Sequence, residues 1–205
     1  MKNQTTITGE LTSQRGTIGP LLGEGSFGRV CRLLLSNGNV AAVKFFKRPL
    51  CSTSLARLDK LCRLQRPHAC FKGWPWDWGT TSDGLSFVFM DAVSTEYWLL
   101  NQYLQGKRTL TLPAIVRIAY QLSDAFAALH LAGFAYPDLS SNQVLVNMDG
   151  DVAIVDCDSI GFANDNLTNV GTRGYLTPGL ATGAERVSPA TAGYALAVLH
   201  FQILV

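Results

Sequence analysis

Gly23, Gly25 and Gly28, in the run Gly23-Glu24-Gly25-Ser26-Phe27-Gly28-Arg29-Val30, make a turn whose absent side chains let backbone N–H groups approach anionic oxygens. A Gly-rich hairpin turn that holds no ligand would look the same. Lys44 closes the apolar run Ala41-Ala42-Val43-Lys44. An ammonium there can pair with phosphate oxygens, and an exposed strand lysine is the plainer alternative. Two acidic loops come later: Asp138 in Tyr136-Pro137-Asp138-Leu139-Ser140-Ser141-Asn142-Gln143, and Asp156 in Asp156-Cys157-Asp158. Carboxylates in such loops can hold a divalent cation or take a proton from a hydroxyl, although Asp also serves simply as a turn residue. The chemistry suggested is work on phosphate esters.

These residues need elements to place them. Thr17 to Phe46 reads as three antiparallel strands, with the Gly-rich turn after the first and Asn37-Gly38 predicting a tight type I′ hairpin after the second. Ser54 to Gln65 has helical spacing at Leu55, Leu58, Leu61 and Cys62, with Ser52, Thr53 or Ser54 as N-cap. Pro67 to Thr81 reads as a Trp- and Gly-rich loop, and Leu85 to Met90 as a strand. From Pro113 to Leu131 a helix carries Ile115, Ile118, Leu122, Phe126 and Leu129 on one stripe, with Gly133 just past its end. Val144 to Val146 and Val152 to Val155 predict a hairpin, so Asp138 lies just before it and Asp156 just after. The C-terminal Tyr194-Ala-Leu-Ala-Val-Leu-His-Phe-Gln-Ile-Leu-Val205 predicts a helix apolar all round, hence buried.

Composition narrows the class. The 205 residues are 47% apolar, enough for a core in one domain or two lobes. A formal charge of +2, from 17 basic and 15 acidic residues, gives no field directed at nucleic acid or a membrane surface. Five cysteines, an odd number without a C-x-x-C pair, predict reduced thiols. The polar start lacks a secretory core, and the apolar C-terminal run is shorter than a membrane span of ~20 residues, so a cytoplasmic protein is expected.

In order along the chain, the motifs resemble those of protein kinases: the G-x-G-x-x-G-x-V loop at Gly23–Val30, the V-A-I-K element at Ala41–Lys44, the H-R-D-L-x-x-x-N loop at Tyr136–Gln143, D-F-G at Asp156–Asp158, and an activation-segment end at Gly171–Gly179. The glycines lie between two strands, which excludes a Rossmann dinucleotide site. The chain is most similar to divergent bacterial serine/threonine protein-kinase-like domains, through Trp74-Pro75-Trp76-Asp77, Asp156-Cys157-Asp158-Ser159 and Ala195-Leu-Ala-Val-Leu-His-Phe-Gln202. The resemblance implies an α+β, two-lobe protein-kinase-like fold. Its parts would be a polar extension over 1–16, an N-lobe of sheet and C-helix over 17–92, and a helical C-lobe over 93–205 that is truncated.

The resemblance further implies ATP and Mg²⁺ as cofactors. Nucleotide would lie on Gly23, Gly25, Ser26, Gly28, Val30, Ala42, Lys44 and Met90, with Asp59 as the acidic helix partner of Lys44. The metal would be held by Asp156, Gln143 and Asn142, and the catalytic set would be Asp138, Lys44 and Ser140, Ser140 standing where a substrate-side lysine is usual. Tyr136 and Pro137 replace His-Arg, Gln143 replaces the metal-binding Asn, Gly179 replaces the Glu of A-P-E, and Ala192 stands where an Asp normally braces the catalytic loop. The implied function is ATP-dependent phosphoryl transfer to protein serine or threonine hydroxyls. A pseudokinase, binding nucleotide and regulating a partner protein, is the alternative that Gln143, Ala192, Gly179 and the early end of the chain favour. The Gly171–Pro178 segment argues against a small-molecule kinase. Expected partners are a protein substrate or a regulated protein and, through the apolar C-terminal helix, a second copy of the chain; no nucleic acid and no membrane span are expected.

Overall fold

The computed structural model describes residues 5–162 and 171–205. Outside them lie the first four residues of the expected extension and part of the expected activation segment. The chain divides into two compact units, Met1–Gln65 with Gly73–Val93, and Arg66–Lys72 with Ser94–Val205.

The first unit is built on a six-stranded antiparallel sheet. Its strands are β1 (Thr6–Thr8), β2 (Arg15–Glu24), β3 (Gly28–Leu35), β4 (Val40–Phe46), β5 (Asp77–Thr80) and β6 (Ser86–Asp91), in the order β1-β2-β3-β4-β6-β5. Strand alternation sorts its core. Cys31, Leu33, Val43, Phe45, Phe87 and Phe89 pack on one face, and Ala42, Phe46, Val88 and Met90 pack on the other with Leu58 and Cys62 of α1 (Ser52–Cys62).

Three local expectations change. The β3–β4 hairpin forms, but only Gly38 takes a positive φ (85°), so the connection is a longer loop closed by Leu35 N–H to Asn39 O at 2.9 Å rather than a two-residue type I′ turn. Helix α1 starts at Ser52 after Cys51 and ends at Cys62, short of Gln65. The stretch Trp74-Pro75-Trp76-Asp77 leads into a strand, because Asp77 to Thr80 pair with Phe89 to Ser86. Asp77, fully buried, accepts from the N–H groups of Leu11 (3.0 Å), Thr12 (3.1 Å) and Trp78 (2.7 Å) and from the Thr12 hydroxyl. A buried carboxylate needs such donors. They hold the turn after β1, so part of the expected polar extension is a sheet strand whose Ile7 enters the core.

The second unit has β7 (Trp98–Leu99), α2 (Asn101–Leu104), α3 (Leu112–Leu131), β8 (Phe134–Ala135), β9 (Val144–Val146), β10 (Val152–Ile154), a 3-10 turn (Cys157–Ser159), β11 (Gly161–Phe162), α4 (Pro178–Thr182) and α5 (Pro189–Leu204). Helix α3 is N-capped by Thr111, whose hydroxyl accepts from Ala114 N–H at 3.3 Å, with Pro113 in its first turn. Its buried face is Ala114, Ile118, Leu122, Ala125, Phe126 and Leu129; Ile115 is only half-buried. Residues 66–72 pack here, with Phe71 against Phe126 and Cys70 O accepting from Ile154 N–H at 2.7 Å. Helix α5 buries Thr191, Ala192, Ala195, Leu199 and Ile203 but leaves Tyr194, Phe201 and Leu204 exposed, so the expected all-round burial is met on one face. None of the five cysteines forms a disulfide, and among the described residues no helix is long and apolar enough to cross a membrane.

Candidate active site

The nucleotide-side residues share one face of the first unit's sheet. Val30 pairs with Lys44, and Ala42 with Met90, so side-chain alternation brings all four to the α1 face. Lys44 is 5% exposed, with its ammonium 5.4 Å from the Phe46 ring centroid. That burial removes the exposed-lysine alternative, since a charge so desolvated needs a specific role or partner.

The three glycines separate by cause. A Cβ on Gly28 would meet Phe45 O at 2.5 Å and the Lys44 side chain at 3.3 Å, so the sheet itself requires this glycine. Cβ atoms on Gly23 or Gly25 would meet nothing within 4 Å. Packing therefore explains one of the three, and the open space at the other two fits the close approach of phosphate oxygens to backbone N–H groups. The turn is fixed by Gly25 N–H to Gly28 O at 2.9 Å, and Glu24 is paired to Lys47 at 2.7 Å.

Asp59 lies on α1 with its carboxylate engaged locally. It accepts from Arg63 Nε and Nη2 at 2.8 and 3.0 Å and from Trp78 Nε1 at 2.9 Å, and the Arg63 hydrogen bond, then that of Trp78, hold its pKa below the usual carboxylate range. Its visible work is to tie α1 to β5.

In the second unit the loop expected to be catalytic, residues 136–143, runs from β8 to β9. Tyr136, wholly buried and stacked on Phe126, donates its hydroxyl to the carbonyls of Val155 (2.7 Å) and Asp156 (3.3 Å). Burial pushes its pKa well above the phenolic range, so the donor proton stays in place. Val155 N–H donates to Gln143 O at 2.9 Å, a second link between the two acidic loops. Asp156 adopts the left-handed conformation (φ 63°, ψ 32°), shared among described non-glycine residues only with Ser13. Such a backbone is uncommon outside glycine and breaks the extended run that precedes it. The next residues turn through 3-10 geometry, so Asp158 needs no positive φ where a glycine is usual.

The remaining predicted residues are brought together but differ in accessibility. Asp138 Oδ1 accepts from the Thr172 hydroxyl at 2.9 Å. Ser140 is wholly buried; its hydroxyl donates to Gln143 Oε1 and accepts from Asn142 N–H at 3.3 Å, so it braces the loop from inside. Asn142 Oδ1 accepts from Asn101 Nδ2 at 2.9 Å. No group of three or more His, Cys, Asp or Glu among the described residues forms a metal cage. A single Asp carboxylate still suits Mg²⁺, which takes few protein ligands when phosphate oxygens complete its shell.

Two residues of the site carry no local signal of their role. Thr172 lies in the Gly171–Gly179 run, yet its contact with Asp138 depends on tertiary placement. Glu185 accepts from the Thr177 hydroxyl at 2.5 Å, and its side chain fills the space beside Gly179, where a Cβ would approach within 2.3 Å. The absent acid of A-P-E thus has a carboxylate next to it.

The first unit thus carries a buried lysine on a strand and a Gly-rich turn, and the second carries two acidic loops joined by hydrogen bonds, the elements expected of a protein kinase domain. The protein kinase domain family model matches residues 17–205, and the chain belongs to that family. It is similar to the serine/threonine-protein kinase pkn3 of Myxococcus xanthus, 27% identical over 216 positions that cover 96% of this chain and 38% of that protein. A shorter match, 33% identical over 57 residues, links it to the serine/threonine-protein kinase WNG1 of Toxoplasma gondii, covering 28% of this chain and 9% of that protein. The chain thus spans well under half the length of these relatives.

Proposed function

We propose that this domain transfers the γ-phosphoryl group of ATP to serine or threonine hydroxyls of protein substrates. The observation that carries the reading is the Tyr136 hydroxyl bonded to both Val155 O and Asp156 O, because it locks the loop bearing Asp138 to the loop bearing Asp156. Lys44 pairs with phosphates, the Gly23–Gly28 backbone covers them, and Asp138 orients the attacking hydroxyl and accepts its proton. Asp156 would hold Mg²⁺, with the Gln143 or Asn142 carbonyl as a weaker ligand; the ion supplies charge neutralisation at the transferring phosphate. Val30, Ala42 and Met90 form the apolar wall for the base.

A second reading is a nucleotide-binding pseudokinase that regulates a partner protein. The carbonyls of Gln143 and Asn142 already accept hydrogen bonds from Ser140 and Asn101, which favours it. Labelled-ATP transfer to generic serine/threonine substrates, with and without Mg²⁺, separates the two. Mg²⁺-dependent label on protein supports the enzyme; tight ATP binding with no label at any Mg²⁺ concentration supports the pseudokinase.

A further inference from the structure

Ala192, buried at the start of α5, offers no side-chain acceptor to the catalytic loop. The loop is nevertheless held from the same helix by another route. Tyr175, 8% exposed, accepts from Ser141 N–H at 3.3 Å, lies 3.2 Å from Ser141 Oγ and donates to Gln202 Oε1 at 2.6 Å. The Ser141 carbonyl accepts from Asn101 N–H at 3.2 Å, so both peptide groups of this residue are fixed. Tyr175 N–H donates to Thr172 O at 3.0 Å, closing the turn whose other end places the Thr172 hydroxyl on Asp138. One four-residue turn therefore grips the catalytic loop at Asp138 and again at Ser141.

We propose that Tyr175, with Gln202 as its anchor, is the positioning residue of the catalytic loop, replacing the brace that Ala192 lacks. The shortest contact of the set, Tyr175 to Gln202, ties the turn to α5, a helix fixed in the core by Ala195, Leu199 and Ile203. Asp138 needs such support because a small displacement of a catalytic group costs rate steeply. A phenol suits this position because it accepts and donates at one oxygen, on a rigid ring. The consequence for catalysis rests on the phosphoryl-transfer reading; the brace itself does not.

Two readouts on the purified chain keep those apart. Hydrogen exchange over residues 136–146 should speed up about three- to tenfold in Tyr175→Phe, the change expected for one lost hydrogen bond, with exchange in α3 unchanged. Gln202→Met should reproduce the change, and Gln202→Glu, which keeps an acceptor for the phenol, should not. For transfer, Tyr175→Phe should lower kcat about ten- to a hundredfold while KM for ATP stays within about twofold, and Gln202→Glu should keep wild-type kcat. Unchanged exchange in a folded Tyr175→Phe or Gln202→Met overturns the brace. Faster exchange with unchanged kcat overturns its catalytic role. Absence of transfer by wild type refutes the kinase reading, while the exchange data still decide the brace.

Discussion

The two units differ in how they keep the pattern of their family. In the first, residue types carry it: Gly28 is demanded by the approach of Phe45 O, and Lys44 sits buried on its strand opposite Val30. In the second, residue types depart from the motifs while side-chain contacts still join the loops. Tyr136 stands for a histidine yet hydrogen-bonds the Asp156 carbonyl, Asp158 stands for a glycine in a turn that needs none, and Glu185 occupies the space beside Gly179. A sheet accepts few substitutions at a close backbone contact, whereas a hydrogen bond to a loop carbonyl can be donated by any side chain that reaches it. Motif spelling therefore follows the structure closely in the first unit and loosely in the second.

The largest expected effect belongs to Asp138→Asn. If the second unit still catalyses, transfer should fall about 10²- to 10⁴-fold, the range for a lost general base, read as single-turnover label on protein. A fall of less than tenfold would mean that the loop no longer does the chemistry.

Next in size is a contrast within the metal loop. Asp156→Asn should weaken Mg²⁺-dependent ATP binding about ten- to a hundredfold and Gln143→Ala only a few-fold, because the first removes a full charge and the second a dipole already shared with Ser140. Titration calorimetry at fixed ATP reads both; the reverse order would put the metal on Gln143.

Tyr136→Phe removes the donor to two loop carbonyls at a fully buried position. We expect about 1–3 kcal/mol loss of stability by urea unfolding, the cost of leaving a buried acceptor unsatisfied, together with lower kcat. Unchanged stability and kcat would show that the link between the acidic loops is dispensable.

The smallest effect separates two thiols. Cys51, exposed at the start of α1, is lowered to about 7 by hydrogen bonds from Ser54 and then Thr53, whereas burial raises Cys70 to about 11. The thiolate is the reactive form, so iodoacetamide labelling of Cys51 should be slow below pH 6, half-maximal near pH 7 and at its plateau by pH 8. Cys70 should stay unlabelled over that range. Peptide mass mapping checks both.

Strand alternation, the helix stripe at Ile118, Leu122, Phe126 and Leu129, and the hairpin between the acidic loops were legible because each is a local period. The sharing of one face by Val30, Ala42, Lys44 and Met90 came only with the strand pairing, which joins residues up to 48 positions apart. Strands β1 and β5 were not legible. Their short segments are polar or Trp-rich, and what orders them is the buried Asp77 carboxylate, which reaches residues 65 and 66 positions away. The local engagement of Asp59 by Arg63 had a visible signal in the four-residue spacing, but Trp78 as its second partner did not. Thr172 on Asp138 and Tyr175 on Ser141 each span 34 positions, beyond any local pattern.

The division of labour between the units is tested most directly by calorimetric ATP·Mg²⁺ affinity for wild type, Lys44→Met and Asp138→Asn, all shown to be folded. Lys44→Met should bind about tenfold or more weakly, having lost a charge-assisted contact, while Asp138→Asn should stay within about twofold of wild type. Equal affinity for wild type and Lys44→Met, or a large loss in Asp138→Asn, would contradict that division.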